Sequence, residues 1–305
     1  MRLPSVTDAP ADARQRVLIG IFFVCLSGLI FPVMNSFAKS LGSTYNPLQI
    51  SWARFFGHVL FLLLMFMPTR GWRMLVSRRP GLQLTRSALQ LTSNILFTIA
   101  IFHQPIADAA AIGMLGPLFV TIMAWPLLGE RTTTGRAIAV GIGFVGALIV
   151  IRPGGDVFHW SATLLLISSL AHGLYQIFTR KVANTDPPET TTIYSSLIGA
   201  FGMLVILPFI WKTPETFLHL FFFIGLGVLG GIGHYFVVRA LAYAPANVIA
   251  PFSYFQLIGS VIVGYLWFGN FPDAYTWVGA LIIMTAGLYV GWTQARPLPK
   301  PAATH

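Results

Sequence analysis

The chain has 305 residues, 55% of them hydrophobic and 9% charged, with a mean hydropathy of +0.74. A water-soluble domain is about 25% charged, so this chain has too few charges to cover an aqueous surface. The formal charge of +10 does not indicate nucleic acid, because the basic residues lie in short loops and tails without interleaved aromatics. Cys25 is the only cysteine, which excludes a disulfide framework and a cysteine-based metal site.

Residues 1–16 are polar, with Pro4, Pro10, Arg14 and Arg16, and read as a cytoplasmic tail. Ten apolar runs follow: Val17–Leu41, Asn46–Met67, Leu84–His103, Ile106–Leu128, Thr133–Ile151, Trp160–Ala183, Thr190–Trp211, Phe217–Tyr243, Ala246–Phe268 and Tyr275–Trp292. Most are near the ~20 residues that cross a hydrocarbon core as a helix. None has the ~10-residue alternation of a membrane barrel strand. The first is too long for a signal-peptide core and lacks a small-residue cleavage site, so no cleavage is expected. Pro68, Pro105, Pro153, Pro187, Pro214, Pro245 and Pro272 fall at or near junctions, where a missing N–H does least harm.

With the N-terminus inside, the Lys and Arg residues gather on the cytoplasmic side except Lys39, Arg54, Arg152 and Lys212. Ten spans then leave both termini cytoplasmic.

The stretch from Asp108 to Ile151 recurs without gaps at an offset of 140 residues. Ala110 falls on Ala250, Gly129 on Gly269, Ile138 on Val278, Ala139 on Gly279 and Leu148 on Leu288. Each copy of the repeat holds five helices. An odd number makes the second copy enter the membrane from the opposite face, as in many secondary transporters. The expected architecture is all-α and integral to the membrane: ten transmembrane helices in two inverted five-helix repeats around a central cavity.

Ionisable groups within a span are costly and usually face a cavity or a partner. Helical spacing sorts the candidates into stripes. The first helix offers Asn35 and Lys39, the second Arg54 and His58 beside Ser51, and the third Gln90 and Asn94. The sixth carries the densest stripe, His172, Tyr175, Gln176 and Thr179. The eighth offers His234, Tyr235 and Arg239, and the ninth Tyr254 and Gln256. The fifth and tenth helices are almost bare of polar groups between their ends. Ser93, Ser253 and Ser260 are assigned to helix packing, and Arg86, close to a helix end, is expected to snorkel to the interface. Asp108, Glu130, Glu189 and Asp273 sit at or beyond helix ends, so no buried carboxylate relay is evident. If protons drive transport, His58, His172 or His234 is the expected carrier.

The run Ala107–Ile151 has a small-residue stretch, Pro117, the Leu127-Leu128-Gly129-Glu130-Arg131 corner and a Gly-rich helix. It resembles the EamA-type repeat of the drug/metabolite transporter superfamily. The copy at Ala246–Gly291 is similar, with Gly269-Asn270-Phe271-Pro272-Asp273 in place of the charged corner. The resemblance implies two repeats, 17–151 and 159–293, between cytoplasmic tails 1–16 and 294–305. It also implies a cavity lined by helices one to four and six to nine, with helices five and ten peripheral.

Its functional implication is secondary transport, by alternating access, of a small metabolite across the inner membrane. There is no ATP site, and no Walker-type GxxxxGK[ST] occurs. The aromatic, amide and cationic candidates fit an amino acid or a related neutral or anionic solute, with Arg54 or Lys39 pairing a carboxylate. A vitamin, nucleoside or drug is the alternative. No cofactor, metal, nucleic acid or enzymatic activity is expected, since the short, acid-poor loops hold no DxxD, HExxH or Ser-His-Asp set. A membrane transferase and a non-transporting scaffold are the rival classes.

Overall fold

A computed structural model describes residues 11–129, 133–153, 159–182, 185–243 and 252–295. All regular structure among them is helical. The helices are α1 (Ala11–Leu41), α2 (Pro47–Arg70), α3 (Pro80–His103), α4 (Ile106–Gly113), α5 (Gly116–Leu128) and α6 (Thr134–Ile151) in the first half. The second half holds α7 (Ser161–Val182), α8 (Pro188–Phe201), the single turn α9 (Leu207–Ile210), α10 (Phe217–Tyr243), α11 (Phe255–Phe268) and α12 (Ala274–Ala295).

Local chemistry sets several boundaries. Asn46 caps α2, its side chain accepting from the Leu48 N–H at 2.9 Å, and Pro47 follows at the first position, where its missing N–H is harmless. The helix α1 starts six residues before the expected Val17, because the helix-forming run Ala11-Asp12-Ala13-Arg14 extends it past the apolar segment. Gly129 ends α5 at φ 71° and Gly269 ends α11 at φ 70°, both left-handed closures that glycine adopts without penalty. These are the two glycines that the repeat places in register; Glu130 and Arg131 of the first corner lie outside the described residues.

Two expected spans are broken. The fourth divides into α4 and α5 around Met114 and Leu115, just ahead of Pro117, which has no N–H for the ladder and disfavours helical geometry before it. The seventh ends at Phe201, passes through a tighter turn over Gly202–Val205, and resumes only briefly beside Pro208. The ninth is described from residue 252 onward.

Among the described residues, seven segments are long and apolar enough to cross a membrane: Gln15–Leu41, Pro47–Arg70, Ile106–Leu127, Thr134–Ile151, Ser161–Thr179, Phe217–Val237 and Ala274–Thr293. The polarity is inverted relative to a soluble protein. Phe217 is 88% exposed and Phe209 87%, whereas Arg86 is 1% exposed. Gln83, Ser87, Gln90, Ser93 and Asn94 are buried on the same helix, α3. Apolar groups outward and polar groups inward is the arrangement hydrocarbon surroundings demand.

The packing partners come in matched sets. The helix α1 lies on α10 as α7 lies on α3, and α2 meets α10 as α8 meets α3. Likewise α1 packs on α11 as α7 packs on α5, while α2 meets α8 and α6 meets α12. Two of these contacts rest on paired glycines. A Cβ on Gly57 of α2 would stand 2.6 Å from the Gly227 Cα of α10, and one on Gly146 of α6 would stand 2.9 Å from the Gly279 carbonyl oxygen of α12. Backbone-to-backbone approach of this kind is a principal means of joining helices where no hydrophobic effect drives them together.

Candidate functional site

Four of the predicted residues, Arg54, His58, His172 and His234, come together. Arg54 and His58 sit one turn apart on α2, facing α10, where the aliphatic stem of Arg54 runs beside Gly230. The His58 and His234 rings stack face to face, 4.9 Å between centroids and 9° from parallel. On α8, the Ser196 hydroxyl lies 3.0 Å from His58 Nδ1, and Phe31 of α1 closes on the His234 ring edgewise at 5.2 Å. His172 of α7 lies beside Gly116 of α5, with Gln176 next to it.

Arg54 is close enough to act electrostatically on His58, His172 and His234. Among the described residues it has no hydrogen-bond or ion-pair partner. Several buried polar atoms likewise have none: His58 Nε2, Gln90 Oε1, Asn94 Oδ1, Ser51 Oγ and Ser260 Oγ. Desolvated donors and acceptors without partners are costly, and a polar ligand is one way to satisfy them.

Arg86 is the correction. It does not snorkel. All five of its N–H donors are engaged within the protein: Nε to Thr179 Oγ1 at 3.0 Å, Nη1 to Gln83 Oε1 at 2.7 Å and to the Thr191 carbonyl at 2.6 Å, and Nη2 to Tyr175 OH at 3.1 Å and Ser195 Oγ at 2.8 Å. Gln83 donates in turn to Asp186 Oδ2 at 2.8 Å, where the carboxylate also accepts from Ser77 Oγ and from the Arg78 N–H at 2.9 Å. Burial pushes the Asp186 carboxyl up, but these hydrogen bonds and the Arg78 charge outweigh it and hold it below the usual range. Sequence reasoning missed Gln83, Asp186, Thr191 and Ser195. The one available signal was a Gln and an Arg three apart on a helix otherwise fit for membrane burial.

The remaining candidates are dispersed. Tyr175 serves the Arg86 network, though its ring also lies 5.6 Å from that of His172. Lys39 donates to the Gln104 carbonyl at one end of the bundle, with its ammonium 5.3 Å over the Phe268 ring. At that end Asp108 accepts from Thr276 Oγ1 at 3.0 Å, and Arg152 pairs with Asp273. Arg239 donates to Tyr243 OH at 2.8 Å, beside Phe23. The Tyr254 hydroxyl presses against Gly287 of α12, and Tyr235 lies against Phe66 and Phe236. Asn35 is buried on α1, and the Gln256 backbone abuts Gly28 of the same helix.

Apolar faces outward and polar side chains inward define a multi-pass helical membrane protein. The EamA-like transporter family model matches residues 18–152 and again 159–292. The chain belongs to that family, within the drug/metabolite transporter superfamily, and is a transporter of small metabolites. It is 29% identical to the riboflavin transporter of Rhizobium johnstonii over 94% of this chain and 96% of that one. It is 25% identical to the S-adenosylmethionine uptake transporter of Rickettsia conorii over 95% and 98%, and 28% identical to the riboflavin transporter of Vibrio cholerae over 91% and 94%. One solved crystal structure superposes with a TM-score of 0.61 at 16% identity, covering 93% of this chain and 99% of its own, a likeness of fold.

Proposed function

We propose that the chain is a secondary carrier that moves a small neutral or anionic organic solute across the inner membrane by alternating access. Two inverted five-helix halves, about 17–151 and 159–293, rock around a site at Arg54, His58, His172 and His234. Gln90, Asn94 and Gln176 complete its polar lining, and both termini are cytoplasmic. The matched packing partners of the two halves and their equivalent Gly129 and Gly269 corners support the inverted repeat.

The observation that carries the reading is Arg54, a membrane-embedded guanidinium with three imidazoles in its field and no carboxylate partner among the described residues. Such a site repels a cation, which argues against the positively charged sulfonium of S-adenosylmethionine. A flat neutral heteroaromatic such as riboflavin suits the stacked rings and orphan amides. An amino acid or other carboxylate suits Arg54.

The experiment is thermal unfolding of the purified full-length protein in detergent against amino acids, organic acids, nucleosides, riboflavin and S-adenosylmethionine. A ligand that binds only the folded state stabilises it by about 2.7 kcal/mol at a hundredfold excess over Kd. The expected hit is neutral or anionic and disappears in Arg54→Gln. Stabilisation by S-adenosylmethionine alone would overturn the reading.

A further inference from the structure

The His58–His234 pair has a feature that solute binding alone does not require. Two imidazoles stack nearly parallel at 4.9 Å, one from each half of the chain; His58 is buried, His234 half-buried, and Arg54 stands one turn from His58 on α2. The charged or titratable groups acting on the pair are Arg54 on α2 and His172 on α7, all basic. From α8 comes only the Ser196 hydroxyl, at His58 Nδ1, and from α1 the Phe31 ring. Tyr235, the neighbour of His234, turns to Phe66 and Phe236. His58 Nε2 has no partner among the described residues.

With the site empty, Arg54 opposes any further positive charge, and two adjacent rings cannot both become imidazolium. An anion seated at Arg54 cancels that opposition and makes room for one proton on the pair. Ser196 is placed to orient the His58 ring, and the orphaned Nε2 is free to bond the arriving anion. Anion and proton therefore favour each other's binding, a reciprocal coupling.

Resting on the reading of this site given above, we propose that the stacked His58–His234 pair is a proton site, and that the carrier takes one proton together with each organic monoanion (a carboxylate) held at Arg54. Monoanion and proton together carry no net charge, so the site keeps the single positive charge of Arg54 whether it is empty or loaded.

The test is isothermal titration of the full chain in detergent, in two buffers of different ionisation enthalpy, between pH 6 and 8. The probes are benzoate and glutamate as monoanions, and riboflavin and adenosine as neutral probes. The expected result is uptake of about one proton per anion bound, with anion affinity rising up to about tenfold per unit fall in pH, and no proton uptake with the neutral probes. Uptake should vanish in His58→Gln and in His234→Asn, the latter installing the residue found at the equivalent position 94. It should persist in His103→Gln, far along α3, and thermal unfolding checks that each variant is folded. An anion that binds without proton uptake, or uptake surviving in both variants, overturns the proposal. Neutral probes alone binding, with binding lost in Arg54→Gln, overturns it but leaves the site standing. Binding of any probe that Arg54→Gln does not alter overturns the site itself, and silence from every anion overturns the anion class.

Discussion

Arg86 commits every N–H donor to protein acceptors on α3, α7 and α8, whereas Arg54 commits none among the described residues. The two should therefore respond oppositely to neutralisation. Arg86→Gln strips charge-assisted bonds from five acceptors, those on Gln83, Thr191 and Ser195 buried, and should cost on the order of 3 kcal/mol, read as a lower unfolding temperature and a poorer yield of folded protein. Arg54→Gln should leave the unfolding temperature unchanged or higher and abolish the ligand response. Asp186 adds a pH signature. Its carboxyl is depressed in the folded state, so its contribution is complete above the unfolded Asp value of about 3.9 and is lost as pH falls through the lower folded value. Asp186→Asn should flatten the acid limb of the stability profile, and an unchanged limb would count against the Asp186–Gln83 link. The stripes that hold Arg54, His58, His172 and His234 were legible from helical spacing alone. Arg86 was misjudged because distance from a helix end was its only local cue, and its partners Thr191 and Ser195 lie more than a hundred residues away.

At the scale of the element, hydropathy finds the helices and glycine finds how they meet. The Gly57–Gly227 contact leaves no room for a side chain. Gly57→Leu should force α2 and α10 apart and sharply reduce folded protein on size-exclusion chromatography, whereas Gly141→Leu, on a face with nothing within 4 Å, should not. Gly129→Ala places a Cβ on a left-handed backbone and should cost about 1 kcal/mol, seen as a drop of a few degrees in unfolding temperature. Breaks were harder to read than helices. Pro117 and Pro208 were visible, but a proline inside an apolar run is tolerated in α1 at Pro32 and interrupts the ladder between α4 and α5. The local sequence around the two prolines does not distinguish the outcomes.

At the scale of the molecule, the offset of 140 residues is the strongest signal in the chain, and the matched helix pairings are what the proposed inverted repeat would require. What periodicity could not supply is which groups the pairings bring into register: His58 meets His234 across the two halves, and that contact is written nowhere as a local pattern.

The offset also marks where the halves differ. Arg86 falls on Leu226, a fully buried aliphatic side chain, and Gln83 falls on Phe223. One mouth of the bundle is thus tied by a polar latch running from Asp186 through Gln83 to Arg86, while the equivalent positions of the other half, Leu226 and Phe223, carry apolar packing in place of those two polar groups. In the alternating access proposed above, two equal halves would open to either side with equal ease, and this inequality would give the carrier a resting direction. Each 1.4 kcal/mol of difference between them is a tenfold preference for one facing state, so trimming the latch should alter which side the empty carrier waits on before it alters what the carrier recognises.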